Sequence, residues 1–415
     1  MNFLYDIAIN IVGFILKILA IFNKKIKLFV NGRKNVFHKL KLQFVDNDNI
    51  IWFHCASLGE FEQSRPIIEK LKVQYPAYKI LVTFFSPSGY EIRKDYALAE
   101  VVSYLPLDTK LNTRKFIEIV NPKIAVFVKY EFWPNILKEL KSKEIETILV
   151  SGIFRKDQAF FKWYGSWMKN SLQAFNHFFV QDESSKNLLN DIGFKNITVS
   201  GDTRFDRVFE ITKQDNYLEF IEKFTTGKQT LVAGSTWAKD EELLINYINN
   251  RASEAEKYII APHNINPNEI EELKKSIKKK TILFSDRNKK NHLDAQVLII
   301  DSIGILTKVY SYASVAYVGG GFGVGIHNIL EPATFGVPII IGPNYQKFNE
   351  AKELIELDAC QVINNASDLN SVLGGLFDNI NTIKNKGKKS RDYILRNIGA
   401  TQKIIDHLKE NISIN

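Results

Sequence analysis

Cysteine is nearly absent from this 415-residue sequence: only Cys55 and Cys360 occur, neither with a CxxC or CxxH partner. A disulfide framework and a zinc knuckle are therefore excluded as organising principles. HExxH, EF-hand and nucleophile-elbow patterns are missing as well, so no metal and no resident cofactor are expected. Long apolar runs are scarce. The one candidate, residues 7–22, falls short of the ~20 residues of a spanning helix and is interrupted by Asn10 and Lys17. No small-residue cleavage site follows it, which argues against a removed secretory signal. Acidic residues are outnumbered by basic ones, 46 to 55, giving a formal net charge of +9. Such an excess suits a polyanionic partner such as anionic lipid, nucleic acid or a phosphorylated substrate, although a merely soluble basic protein has the same balance. No RNP-like aromatic motif is present, so no nucleic-acid partner is expected.

What is present is ordinary globular material, 45% hydrophobic and 24% charged, in a chain long enough for two domains. Basic residues Lys24, Lys25, Lys27, Arg33 and Lys34 directly follow the apolar run. That pairing predicts a membrane-anchoring helix with its basic flank in the cytoplasm, or an interfacial helix, over residues 1–23. A helix packed on the body of the protein is the alternative. From about residue 48, short apolar β-rich runs alternate with segments of helical periodicity. Strands are predicted at 49–57, 78–86, 101–108, 123–131, 146–154, 177–183 and 197–202, then at 230–236, 257–263, 281–286, 295–301, 315–321, 338–343 and 360–364. Continuous apolar runs of this kind belong to parallel strands covered on both faces. The expected organisation is an N-terminal α/β domain over 24–205, a charged linker over 206–229 and a second α/β domain over 230–390. A C-terminal helix over 391–415 could return to the first domain.

Ligands of open α/β sheets bind outside the carboxyl ends of the strands, and those turns carry the candidates. The first is His54-Cys55-Ala56-Ser57-Leu58-Gly59-Glu60, where Glu60 at a helix start is either a macrodipole partner or a catalytic carboxylate. Another is Lys129-Tyr130-Glu131-Phe132-Trp133-Pro134-Asn135, with a carboxylate beside an indole. In the second half, Gly234-Ser235-Thr236 follows a strand and precedes a helix, suiting a phosphate or an ordinary cap. Residues 319–332 hold five glycines within seven positions, a density hard to explain by packing alone, and the spacing matches neither a dinucleotide fingerprint nor a Walker loop.

The ordered set HCASLGE, TFFSPSGYE, KYEFWPN, VSGDTRFD, AGSTW, APHN, DSIGIL, GGGFGVGIHNILEP and GPNYQKF resembles the Kdo (3-deoxy-D-manno-octulosonic acid) transferases over residues 1–375. The resemblance implies a GT-B fold, two Rossmann-like domains facing each other across a cleft, with an N-terminal apolar helix. It implies transfer of Kdo from CMP-Kdo to a lipid A precursor, lipid IVA, with inversion, in lipopolysaccharide biosynthesis. Glu60 would be the general base, and Glu131 and Arg204 would stabilise the transition state. CMP would contact Pro262, His263, Ile303, Gly304, Ile305, Asn328, Ile329, Leu330 and Glu331, with Gly234, Ser235 and Thr236 as candidate phosphate contacts. Four positions depart from the family pattern: Lys129 and Ile305 replace glutamates, His263 replaces an arginine, and Arg204 replaces a lysine. Two other functions fit the same composition: another GT-B nucleotide-sugar transferase or epimerase, and a non-enzymatic basic peripheral membrane protein.

Overall fold

A computed structural model describes residues 2–163, 165–288 and 293–412. The chain divides into two compact units, one made of residues 1–207 and 398–415, the other of residues 208–397.

The first unit is built on a seven-stranded parallel sheet. Its strands are β1 (Ile50–Cys55), β2 (Lys79–Phe84), β3 (Val101–Tyr104), β4 (Ile124–Val128), β5 (Glu146–Gly152), β6 (His177–Val180) and β7 (Ile197–Val199). They lie in the order β3-β2-β1-β4-β5-β6-β7. β1 is buried at every position, which is why it reads as a continuous apolar run rather than an alternating one. Trp52, Leu81, Ala125 and Phe127 face one core, while Ile51, Phe53, Val82 and Val126 face the other.

The second unit repeats the architecture with β8 (Gln229–Thr236), β9 (Glu256–Pro262), β10 (Thr281–Leu283), β11 (Val297–Ile299), β12 (Val315–Val318), β13 (Ile339–Ile341) and β14 (Cys360–Val362). Its order is β10-β11-β9-β8-β12-β13-β14, again wholly parallel. All fourteen strands fall within the runs predicted from the sequence or within a residue of them. The chain passes from one half of each sheet to the other between β1 and β4 in the first unit and between β8 and β12 in the second, and these are the topological switch points; in the second sheet β11 also lies between β9 and β10.

Two expectations need correction. Residues 206–229, expected as a charged linker, are not merely a connection, because the helices Thr203–Ile211 and Glu219–Thr225 occupy much of them. Ile221 and Phe224 are buried in the second unit's core, an apolar face too short to stand out among charged neighbours. Nor is the C-terminal segment one helix. Ile380–Asn397 belongs to the second unit, and Ala400–Ile412 belongs to the first, where it packs on the helix Leu58–Gln74. Gly399, at φ +108°, makes the break between them, a conformation that L side chains rarely adopt. Residues 413–415 of that segment lie outside the described residues.

The N-terminal run forms the helix Asn2–Leu19, and Phe3, Leu4, Ile11, Phe14 and Ile15 are among its exposed side chains. Among the described residues no helix is long and apolar enough to cross a membrane. The helix is nevertheless tied to the unit's body. Tyr5 donates to Asp108 at 2.8 Å, and Asn135 Nδ2 donates to Asp6 at 2.9 Å.

Candidate functional site

The switch point of the first sheet brings the two sequence-predicted carboxylates to adjacent strand ends. β1 runs into Ala56 and Ser57, and the helix Leu58–Gln74 begins at once, placing Glu60 in its first turn. The Ser57 hydroxyl donates to Glu60 Oε2, fixing a half-buried carboxylate at the strand's end. β4 ends at Val128, and Lys129 adopts the left-handed conformation, φ +63°. That is an uncommon geometry for a residue with a side chain, and it turns the chain sharply into Tyr130 and Glu131.

Glu131 sits in a net of donors. Trp133 Nε1–H donates to its Oε2 at 2.8 Å, and His54 Nε2 lies 3.2 Å from the same oxygen. His54 is fully buried on β1, and its Nδ1 lies 2.9 Å from Thr83 Oγ1 on β2, its register partner. Arg204 lies in the first turn of the helix Thr203–Ile211, which follows β7. Its backbone N–H and its side chain both donate to Asp202, which Gln63 also contacts at 2.9 Å. Burial alone would raise the Asp202 pKa, but the Arg204 charge and hydrogen bonds outweigh it and hold the carboxyl below its usual value. Burial raises Tyr130 above the ordinary tyrosine value, and the charges of Arg155, Glu60, Arg204 and Asp202 all act on it. Glu60 and Glu131 thus follow the adjacent strands β1 and β4, and the charges of Glu60 and Arg204 both reach Tyr130, the chain neighbour of Glu131.

The second sheet assembles its turns likewise, though not every predicted residue serves. Thr236 is buried and its hydroxyl donates to Glu241 at 2.9 Å, so its side chain holds the following helix rather than facing a phosphate. Gly234 is also buried, and a Cβ there would meet the Tyr310 hydroxyl at 2.0 Å. Of the three candidate phosphate contacts only Ser235 is part-exposed. The glycine run is in part a packing device. A Cβ on Gly319 would meet Ser235 O at 2.3 Å, and one on Gly321 would meet the Gly342 backbone at 2.7 Å. A Cβ on Gly323 would meet only Gly320 O, at an ordinary 3.6 Å, and Val324 is exposed.

Beyond β9, His263 is exposed and stacks against two rings, 4.5 Å from Trp237 and 4.4 Å from His327. Trp237 Nε1–H donates to His327 Nε2 at 3.0 Å. Burial, reinforced by His263, lowers the His327 pKa. Asn328 Nδ2 donates to Glu331 Oε1 at 2.9 Å, and the Thr307 hydroxyl donates to Glu331 Oε2 at 2.8 Å. The Thr307–Glu331 bond joins the turn 303–305 to residues 328–331. Ile303 and Gly304 are exposed there, and Ile305 is half-buried. Ile329 and Leu330 are buried in the core, leaving only their backbone to meet a ligand.

Sequence reasoning missed Asp202, Asp240 and the Trp237–His263–His327 stack. Asp240 is buried and accepts from Tyr317 Oη, Gly320 N and Trp237 N, so it pins the glycine turn to the next helix. A lone acidic residue three positions into a helix gives no hint of such distant partners. Among the described residues no cluster of His, Cys, Asp and Glu is arranged to hold a metal.

Residues 31–207, the stretch that carries Glu60, Glu131 and Arg204, match the family described as 3-Deoxy-D-manno-octulosonic-acid transferase (kdotransferase). The chain is similar to the Kdo transferases. The 3-deoxy-D-manno-octulosonic acid transferase of Rickettsia bellii is 28% identical over 381 residues, covering 89% of this chain and 88% of the relative. That of Aquifex aeolicus is 29% identical over 312 residues, covering 74% and 79%. These likenesses make the chain an enzyme of the glycosyltransferase class. The Kdo transferase resemblance is accompanied by a wider likeness of fold. UDP-GlcNAc 2-epimerase from Neisseria meningitidis bound to UDP-GlcNAc matches with TM-score 0.60 and 13% identity, covering 87% of this chain and all of that one. A glycosyltransferase from Rickettsia africae matches with TM-score 0.55 and 14% identity, over 88% and 99%. At such identities the likeness shows the fold alone, the GT-B class of two doubly wound units.

Proposed function

We propose that this Kdo transferase relative takes Kdo from CMP-Kdo and transfers it to a lipid A precursor of the lipid IVA kind, inverting the anomeric centre. The observation that carries the proposal is the convergence of Glu60 and Glu131 on the strand ends at the first sheet's switch point, within the family-matched residues. An acceptor hydroxyl attacks the anomeric carbon of Kdo, the bond from that carbon to the phosphate oxygen breaks, and CMP departs. Glu60 takes the hydroxyl proton, with Ser57 holding the carboxylate in place. Glu131, fixed by Trp133 and His54, stabilises positive charge developing on the sugar. Arg204, its charge shared with Asp202, offsets charge on the departing phosphate.

The nucleotide is assigned to the second unit. Glu331 accepts from ribose hydroxyls, the exposed turn 303–305 offers backbone groups, and Ser235 and His263 border the phosphate. The reaction so written uses protein groups alone, so EDTA should leave the rate unchanged. The acceptor's acyl chains and phosphates suit the exposed apolar side chains of the helix Asn2–Leu19 and the net charge of +9, with the cytoplasmic face of the inner membrane as the place of reaction. Incubation with CMP-Kdo and lipid IVA, followed by mass spectrometry of the lipid, tests the proposal. A product heavier by one or more Kdo residues is expected, and an unmodified lipid beside consumed or intact CMP-Kdo would overturn it.

A further inference from the structure

We propose that His54 is a positioning residue for Glu131, held by Thr83 as the neutral tautomer that carries its proton on Nε2 and directs it at the carboxylate. The proposal rests on the role given above to Glu131.

The argument is a count of donors and acceptors along a buried row. Trp52 and His54 are two apart on β1, so their side chains share one face of the sheet, and both are fully buried. The Trp52 indole N–H can only donate, and it donates to Thr83 Oγ1 at 2.8 Å. One lone pair of Thr83 is thereby filled. Its own proton can go to His54 Nδ1 at 2.9 Å or to the Phe53 carbonyl at 3.4 Å, and the short contact is far the better bond. Nδ1 is then an acceptor, and the ring proton must lie on Nε2. From there it donates to Glu131 Oε2 at 3.2 Å.

The opposite tautomer fails at both ends. With the proton on Nδ1, Thr83 would accept two N–H groups and keep only the 3.4 Å carbonyl for its hydroxyl. The Nε2 lone pair would also face the lone pairs of Glu131 across 3.2 Å, with no proton between them. Trp133 Nε1 is 3.2 Å from His54 Nε2 but 2.8 Å from Glu131 Oε2. The indole therefore donates to the carboxylate, and its nearness to the ring follows from two donors converging on one oxygen. The ring cannot swing away, because Phe127 packs edge-on at 5.6 Å and Trp52 is wedged between Phe116 and Phe127. Trp52, Thr83 and His54 thus form a row of hydrogen bonds from the core of the sheet to a carboxylate whose side chain is 14% exposed. Such a row fixes both the rotamer and the charge environment of a group that acts in the transition state.

The test uses the full-length protein with CMP-Kdo and lipid IVA, four single variants of the row, and Glu131→Ala. Removal of one hydrogen bond to a charged group should lower kcat by roughly 10- to 100-fold, with KM for either substrate little changed. His54→Phe and Thr83→Val should show that loss. His54→Gln, which can still present an N–H, and Thr83→Ser, which keeps the hydroxyl, should recover most of it. In a double variant, Glu131→Ala with His54→Phe should be no slower than Glu131→Ala alone, because the two act as a unit. Nitrogen-15 spectra of the parent and His54→Gln, compared by difference, should place the His54 proton on Nε2, and Thr83→Val should release that preference. A proton on Nδ1 in the parent, multiplicative losses in the double variant, or His54→Gln as slow as His54→Phe with melting temperatures preserved would overturn the proposal. If the parent protein transfers no Kdo at all, the functional reading fails instead, and the nitrogen spectrum still decides the tautomer.

Discussion

Glu60 and Glu331 are the residues where chemistry and architecture make opposite forecasts. As a general base, Glu60 cannot be replaced by an amide that accepts no proton. Glu60→Gln should therefore lower single-turnover transfer by ~10²–10⁴ while CMP binding stays like the parent's. As a helix-start carboxylate alone, it would give only a stability loss of about 0.3–1 kcal/mol with near-normal turnover. Transfer at saturating CMP-Kdo and acceptor separates the two. Glu331→Ala should weaken CMP binding in calorimetry by about 1.5–3 kcal/mol, the worth of a hydrogen bond to a charged group. Because Glu331 also holds Thr307 and Asn328, a thermal melt should show some loss of stability too. Undiminished CMP affinity would move the ribose contact elsewhere. At this scale the candidates Glu60 and Glu131 were legible, because a carboxylate at a strand-end turn stands out in a sequence. Their partners were not. Thr83 and Trp52 look like any core residues until the register of β1 and β2 sets them side by side.

At the scale of elements, the docking of the C-terminal helix Ala400–Ile412 on the first unit makes two predictions. Asp206, nearly two hundred residues away in sequence, caps the helix's start by accepting from Gly399 N at 2.5 Å and Thr401 N at 2.6 Å. Asp206→Ala should cost about 0.5–2 kcal/mol in denaturant unfolding, as for a lost helix cap. The same helix brings His407 to 4.5 Å from His177, ring to ring. Burial first, and the nearby His407 second, push the His177 pKa down from 6.5 to about 4. Between those values the unfolded chain binds a proton that the native state refuses. Stability is thus complete above about pH 6.5 and declines as the pH falls toward 4. The loss is bounded at about 3 kcal/mol and is smaller to the extent that water screens a half-buried ring. Melting temperature against pH should fall less steeply for His177→Gln than for the parent. Equal slopes would assign the acid sensitivity to other groups. None of this was visible in the sequence, where the tail shows only helical periodicity and no destination.

On the scale of the whole molecule, the helix Asn2–Leu19 carries exposed apolar side chains in a chain of net charge +9, which predicts salt-sensitive binding to anionic vesicles. Removing residues 1–23 should abolish that binding in a co-sedimentation assay, and undiminished partitioning would refute the assignment. The truncation should also lower the melting temperature, since Asp108 would lose Tyr5 and Asn135 would lose Asp6. The periodicity of the chain determined the class of fold: the strands of two parallel sheets are short, mostly apolar runs, so each of the fourteen announced itself. The strand-end turns were equally plain, because glycines, serines and carboxylates interrupting such runs have no place in a core. Tertiary structure alone decided which turns meet. Sheet order is set by crossover connections that leave no mark on local composition, and it put β1 beside β4 and β8 beside β12. It also decided that several glycines serve close backbone packing and that Thr236 faces inward. Contacts between residues far apart in the chain are fixed by packing complementarity, and no local pattern encodes them.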